Sequence, residues 1–125
     1  MNLVDSSGWL EYFADGPNSA FFASALENVE ALLVSTINVY EVFKRVLQQR
    51  DADAAFQAVA LMEQARVVDV TSAIAMSAAI LSDESKLPMA DSLILTTARA
   101  YDAVLWTQDS HFDGFAGVQY IRKQR

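Results

Sequence analysis

For chemistry this chain offers carboxylates and little else. It has no cysteine and a single histidine. That removes disulfides, zinc–thiolate sites and cysteine nucleophiles together, and counts against a His-rich metal site or a Ser-His-Asp triad. Four acids from distant parts of the chain stand where ordered elements can bring them together. Asp5 ends the short apolar run Asn2–Val4. Glu41 falls in the early turns of an amphipathic stretch that begins near Thr36. Asp91 lies near the start of a stretch opened by Pro88, among Met89, Ala90, Leu93, Ile94 and Leu95. A carboxylate in such apolar company is costly unless paired. Asp109 follows the run Ala103–Thr107 by two residues.

Four clustered carboxylates cannot all stay ionised without compensation, because each pair at about 4 Å repels by roughly 4 kcal/mol at an effective dielectric near 20. Either protons or hard cations must neutralise them. Carboxylate oxygens suit Mg²⁺ or Mn²⁺, and the chain has no soft ligand for copper or structural zinc. Two such ions about 3.5–4 Å apart activate water and stabilise the leaving oxygen of a phosphodiester. Each acid also has an ordinary reading. Asp5 can cap the helix that begins at Ser6 or Ser7, and Asp109 can be a turn residue. Glu41 shares a helical face with Lys44, Arg45 and Gln48, opposite Val39, Phe43 and Val46, as a solvated face would. Asp91 at a helix start also suits the helix dipole.

The elements that must position these acids alternate between short β-type runs and longer amphipathic stretches. Strands are expected at Asn2–Val4, Leu32–Ser35, Arg66–Val70 (buried), Ala103–Thr107 and Val118–Ile121. Helices are expected from Ser6 or Ser7 to Phe13, over Asn18–Val29, from a Thr36 cap through the stripe ending at Leu47, over Ala54–Ala65, from Thr71 or Ser72 to about Ser85, and over Met89–Tyr101. Pro88 sits where a first helical turn tolerates proline. Twenty alanines, mostly in these stretches, support the helices. Strands separated by helices predict a parallel α/β sheet covered on both faces, with ligands outside the carboxyl ends of the strands. Gln48–Asp53 reads as the most exposed turn.

At 125 residues and 53% hydrophobic content, the expectation is one domain with its own core. The net charge of −7 argues against a duplex-coating protein. It is compatible with a metal-dependent nuclease, whose ions invert the local sign, and with a basic partner protein. The start, MNLVDSSGW, shows no targeting segment, and no apolar stretch is long enough to span a bilayer. A cytoplasmic protein without a membrane association is expected.

The order of these segments resembles the PIN-domain ribonucleases. The resemblance runs from Val4-Asp5-Ser6-Ser7 through Asn38-Val39-Tyr40-Glu41 and Leu87-Pro88-Met89-Ala90-Asp91-Ser92-Leu93-Ile94. It closes at Leu105-Trp106-Thr107-Gln108-Asp109-Ser110-His111-Phe112-Asp113. It implies a PIN-like three-layer α/β/α sandwich with a short, mainly parallel sheet of four to five strands. It implies that Asp5, Glu41, Asp91 and Asp109 are catalytic, with Asp5, Asp91 and Asp109 on Mg²⁺ or Mn²⁺. Ser6, Thr107, Ser110 and Asp113 are possible accessories, although Ser6 also suits a helix cap and Ser110 a turn. Lys44, Arg45 and Lys86 are possible RNA contacts or simply solvated. His111 reads as structural or surface rather than as a general base. A single compact unit of this length looks most like a VapC-type toxin of a bacterial toxin–antitoxin pair, which implies an RNA substrate, a cognate antitoxin and a homodimer. Phe13, Phe21 and Phe22 then either receive the antitoxin or pack in the core.

Three other readings stand beside it. A phosphoacceptor receiver domain needs paired acids after its first strand and a lysine after its fifth; here Asp5 is followed by Ser6-Ser7, and no lysine follows Leu105-Trp106-Thr107. A non-catalytic binding module would show no carboxylate-dependent Mn²⁺ binding. A nuclease of the same fold could also act on DNA or in RNA processing.

Overall fold

The computed structural model describes residues 1–124. Five strands form one sheet: β1 (Asn2–Val4), β2 (Leu32–Ser35), β3 (Arg66–Val68), β4 (Val104–Thr107) and β5 (Val118–Tyr120). Their order is β3-β2-β1-β4-β5, and every pairing is parallel. Six helices connect them: α1 (Ser6–Phe13), α2 (Ser19–Leu26), α3 (Thr36–Gln49), α4 (Ala52–Met62), α5 (Ser72–Ser85) and α6 (Met89–Ala100). Single 3₁₀ turns lie at Val29–Ala31 and Ser110–Phe112.

Strand alternation divides the interior into two cores, because successive side chains point to opposite faces. Leu3, Leu33 and Leu105 pack with Ile94, Leu95 and Ala98 of α6 on one face. Val4, Leu32 and Val34 pack with Trp9, Phe22, Val42 and Met62, from α1 to α4, on the other. The result is the expected three-layer α/β/α sandwich. β1 sits at the centre with Leu3 opposite both Leu33 and Leu105. From β1 the chain moves outward to β2 and β3, then returns across the sheet to β4. The crevice at the carboxyl ends of β1 and β4 is therefore the topological switch point, where open α/β sheets bind ligands.

Several boundaries differ from the sequence expectation. Ser6 and Ser7 do not cap α1; Asp5 holds the N-cap position, yet its side chain makes no capping bond. Helix α2 begins at Ser19 and stops at Leu26, short of the expected Val29. The cap of α3 is Ser35 rather than Thr36: its hydroxyl accepts from Ile37 N while Asn38 Oδ1 accepts from Ser35 N. Helix α3 runs on through Gln49, so the exposed connection shrinks to Arg50 and Asp51, and Asp51 caps α4. Pro88 takes the N-cap of α6 instead of a place in its first turn. Strand β3 ends at Val68 and lies at the sheet edge, which leaves Arg66 and Val67 exposed and only Val68 buried. Thr71 caps α5 as expected, accepting from Ile74 N. No helix among the described residues is long and apolar enough to cross a membrane.

Candidate metal centre

Asp5 is placed by β1 and fixed from two sides. Its N–H donates to Trp106 O at 2.9 Å, which extends the β1–β4 pairing by one residue. Its Oδ2 accepts from Ser7 Oγ at 2.7 Å and from Thr107 Oγ1 at 2.9 Å. Thr107 Oγ1 in turn accepts from Asp109 N at 2.9 Å. One buried threonine thus ties the acid after β1 to the acid after β4.

Glu41 enters from the second turn of α3, six residues after the Ser35 cap. Ser6 Oγ donates to Glu41 Oε1 at 2.7 Å and accepts from the buried Asn38 Nδ2 at 3.0 Å. Ser6 therefore serves a site carboxylate, not a helix cap. Asp91 comes from the first turn of α6, where the buried faces of Ile94, Leu95 and Ala98 seat the helix against the sheet. Asp109 opens the Ser110–Phe112 turn, with Oδ1 accepting from His111 N at 2.9 Å. His111 Nδ1 lies 2.9 Å from Asp91 Oδ2 and 3.3 Å from Asp109 Oδ1.

Asp5, Glu41 and Asp91 each feel burial and the neighbouring charges. Burial pushes the Asp5 carboxyl up to about 6, the bonds from Ser7 and Thr107 pull it down, and the charges of Glu41 and Asp91 raise it further. Glu41 is raised by burial first, against the Ser6 bond, and by Asp91 and Asp109. Asp91 is raised by burial, lowered by its bond to His111, and raised by Asp109. His111 is raised through Asp91 and Asp109. These directions describe anionic oxygens short of positive charge. One ligand atom from each of Asp91, Asp109 and His111 lies within 4.8 Å of the others, a spacing that suits a small divalent cation. The donor set, carboxylate oxygens with one imidazole, fits Mg²⁺ or Mn²⁺.

The remaining expected residues are spread out. Ser110 lies in the exposed 3₁₀ turn beside Asp109. Asp113 is exposed at the end of that turn and is not one of the clustered ligands. Lys44 and Arg45 are exposed on α3, Lys44 lying over the Tyr40 ring. Lys86 is exposed in the left-handed conformation that ends α5. Among these three aromatics, Phe22 is fully buried core, Phe21 packs against Trp106 with the rings tilted, and only Phe13 reaches a groove.

Two features escaped sequence reasoning. His111 converges on the acids, although its only local signal was adjacency to Asp109. A polar cleft of about 510 Å³ beside Asp109 is lined by Ser7, Gln108, Ser110, Tyr120, Arg122 and Lys123. Its cations come from the last residues of the chain. Buried Asn18 holds them there, donating to Gln108 Oε1 at 2.9 Å and to Arg122 O at 3.0 Å.

No curated protein matches the chain in sequence. Among solved structures, a chain of a toxin–antitoxin complex from Klebsiella pneumoniae is similar at 24% identity, with a TM-score of 0.79 over 95% of this chain and 96% of that one. VapC20 of Mycobacterium tuberculosis, described as a sarcin–ricin loop cleaving toxin, superposes with a TM-score of 0.74 at 19% identity, covering 95% and 99%. VapBC-1 from nontypeable Haemophilus influenzae gives 0.74 at 17% identity, covering 97% and 96%. At these identities the likeness establishes the fold. The PIN domain family model matches residues 3–118, nearly the whole chain, and the acids described above lie within that span: the chain belongs to the PIN domain family.

Proposed function

We propose that this protein is an endoribonuclease dependent on Mg²⁺ or Mn²⁺ and the toxin of a type II toxin–antitoxin pair. The observation that carries the reading is the geometry at the β1–β4 switch point: Asp91 and Asp109 lie within 4.8 Å of each other and of His111, Thr107 ties Asp5 to Asp109, and Ser6 holds Glu41. Asp91 and Asp109 would hold the cation, with Asp5, which lies outside their 4.8 Å group and is tied to Asp109 through Thr107, as the third acid. When bound, it supplies charge neutralisation and Lewis acidity toward a phosphodiester.

The chain's own residues do the rest. Ser7 and Thr107 fix the Asp5 carboxylate, so that its Oδ1 remains the free ligand atom. Ser6 holds Glu41 through Oε1, leaving Oε2 available. With its proton affinity raised, Glu41 is suited to accept a proton from attacking water at Oε2. Arg122 and Lys123 would draw RNA phosphates into the cleft beside Asp109, which answers how a chain of net charge −7 engages a polyanion.

The structurally similar proteins include toxin–antitoxin complexes, which supports a protein inhibitor. An apolar groove of about 420 Å³, lined by Leu10, Phe13, Val46, Ala58 and Leu61, would seat an amphipathic helix of that partner. A homodimer acting in the cytoplasm completes the reading.

The test compares wild type with Asp91→Asn on a mixed RNA substrate in Mn²⁺, Mg²⁺ or EDTA. Metal-dependent cleavage that falls at least about a hundredfold in the variant is expected, since the lost charge stabilisation amounts to several kcal/mol. Equal cleavage by both proteins would sink the assignment. If neither protein cleaves and calorimetry finds no Mn²⁺ binding, the chain is a binding module instead.

A further inference from the structure

We propose that His111 is a nitrogen ligand of the cation held by Asp91 and Asp109, and that it biases the site toward Mn²⁺ over Mg²⁺. The inference rests on the metal-dependent reading above and adds to it the identity of a ligand and a metal preference.

The position of His111 is set by its turn. Phe112, wholly buried, anchors the turn in the core that holds Ile94, Leu95 and Ala98 of α6. Asp109 Oδ1 accepts from His111 N, and Phe112 N donates to Asp109 O at 3.1 Å. The ring itself has no packing obligation, with its side chain 57% exposed. It nonetheless turns Nδ1 onto two carboxylates, at 2.9 Å and 3.3 Å. Adjacent ligands of an octahedral cation with bonds of about 2.1 Å lie about 3.0 Å apart. The two separations fit neighbouring ligands on one ion as well as they fit a hydrogen-bonded pair.

The donor type then bears on the metal. Mg²⁺ takes oxygen ligands and gives up its waters reluctantly; Mn²⁺ shares its preference for carboxylates but, as a first-row transition ion, accepts one nitrogen among them at less cost. Asp91 and Asp109 alone would accept either ion; a nitrogen beside them would shift the balance toward Mn²⁺. The rival account is an imidazolium that pairs with the two acids only until a cation displaces it. The two accounts predict opposite effects of removing the ring.

The full-length wild type, His111→Ala and Asp91→Asn would each be loaded with Mn²⁺ at pH 7.5. Pulsed EPR would be read for ¹⁴N hyperfine coupling, and calorimetry would give the Mn²⁺ and Mg²⁺ affinities. The expected result is ¹⁴N coupling in wild type that disappears in His111→Ala. Mn²⁺ affinity should fall by about tenfold or more, and Mg²⁺ affinity by less, so that the preference for Mn²⁺ shrinks. Asp91-dependent Mn²⁺ binding without ¹⁴N coupling, or tighter Mn²⁺ binding by His111→Ala, overturns the proposal and leaves the nuclease reading standing. Absence of Mn²⁺ binding in wild type overturns both. Because the ring is exposed, losing its contact with Asp91 should lower the melting temperature in EDTA only slightly and leave a cooperative transition, which separates ligand loss from misfolding.

Discussion

Replacing Asp5 with asparagine should stabilise the metal-free protein at neutral pH. Asp5 is 4% exposed, and its carboxyl is pushed from an ordinary 3.8 up to about 6, mainly by burial and further by Glu41 and Asp91. Between these two values the native state binds more protons than the unfolded chain, so stability falls as pH rises through the window and stays lost above it. The gap, at about 1.4 kcal/mol per pH unit, amounts to about 3 kcal/mol. An asparagine removes the charge and keeps an oxygen that can accept from both Ser7 and Thr107. Melting followed by circular dichroism in EDTA at pH 7.5 should therefore show Asp5→Asn roughly 10 °C above wild type. At pH 4 the difference should nearly vanish, because the native carboxyl is already neutral there. Added Mn²⁺ should raise the wild type more than the variant and so narrow or reverse the order. Lower stability of the variant in EDTA at pH 7.5, or a gain of equal size at both pH values, would refute the reasoning.

Other outcomes follow from the same geometry. Ser6→Ala leaves buried Asn38 Nδ2 without its acceptor and should cost about 1–3 kcal/mol, read as a lower urea midpoint. Because the Ser6 bond lowers the Glu41 carboxyl, its loss should also move the acid limb of the cleavage profile upward. Gly8→Ala sets a methyl 2.6 Å from both the Phe22 ring and Val4 Cγ1, so destabilisation of about 1–3 kcal/mol is expected in calorimetry. The Mn²⁺-induced rise in melting temperature should be small at pH 5 and grow toward pH 7.5, because protons compete for Asp5, Glu41, Asp91 and His111, all raised. A rise independent of pH would count against these groups as ligands.

Much of the framework was readable from local pattern. Short apolar runs ended by an acid or a cap located β1, β2 and β4 within a residue, and the alternation with amphipathic stretches predicted the parallel sandwich. Asp91 stood out because a carboxylate among Leu93, Ile94 and Leu95 asks for a partner. The misreadings came where two local readings compete. A serine after a strand is a cap candidate by type, yet Ser6 turns to Glu41 because α3 lies beside α1. Where the sequence left Phe22 open between a groove and the core, Gly8 and Val4 close over it and decide for the core. Strand β3 read as buried because valines pattern alike at the centre and at the edge of a sheet.

What composition and spacing alone set was the chemical vocabulary: acids without thiols, placed at the ends of strands and the starts of helices. Those features depend on residue type and nearest neighbours. Tertiary structure decided which ends meet. The strand order brings β1 beside β4, a hundred residues apart in the chain, and so lets Thr107 bridge Asp5 and Asp109. It also carries His111 onto Asp91 and brings Arg122 and Lys123 to the cleft beside Asp109. No local pattern encodes such neighbours, because strand order is chosen by how the helices cover both faces of the sheet, which depends on the whole chain at once.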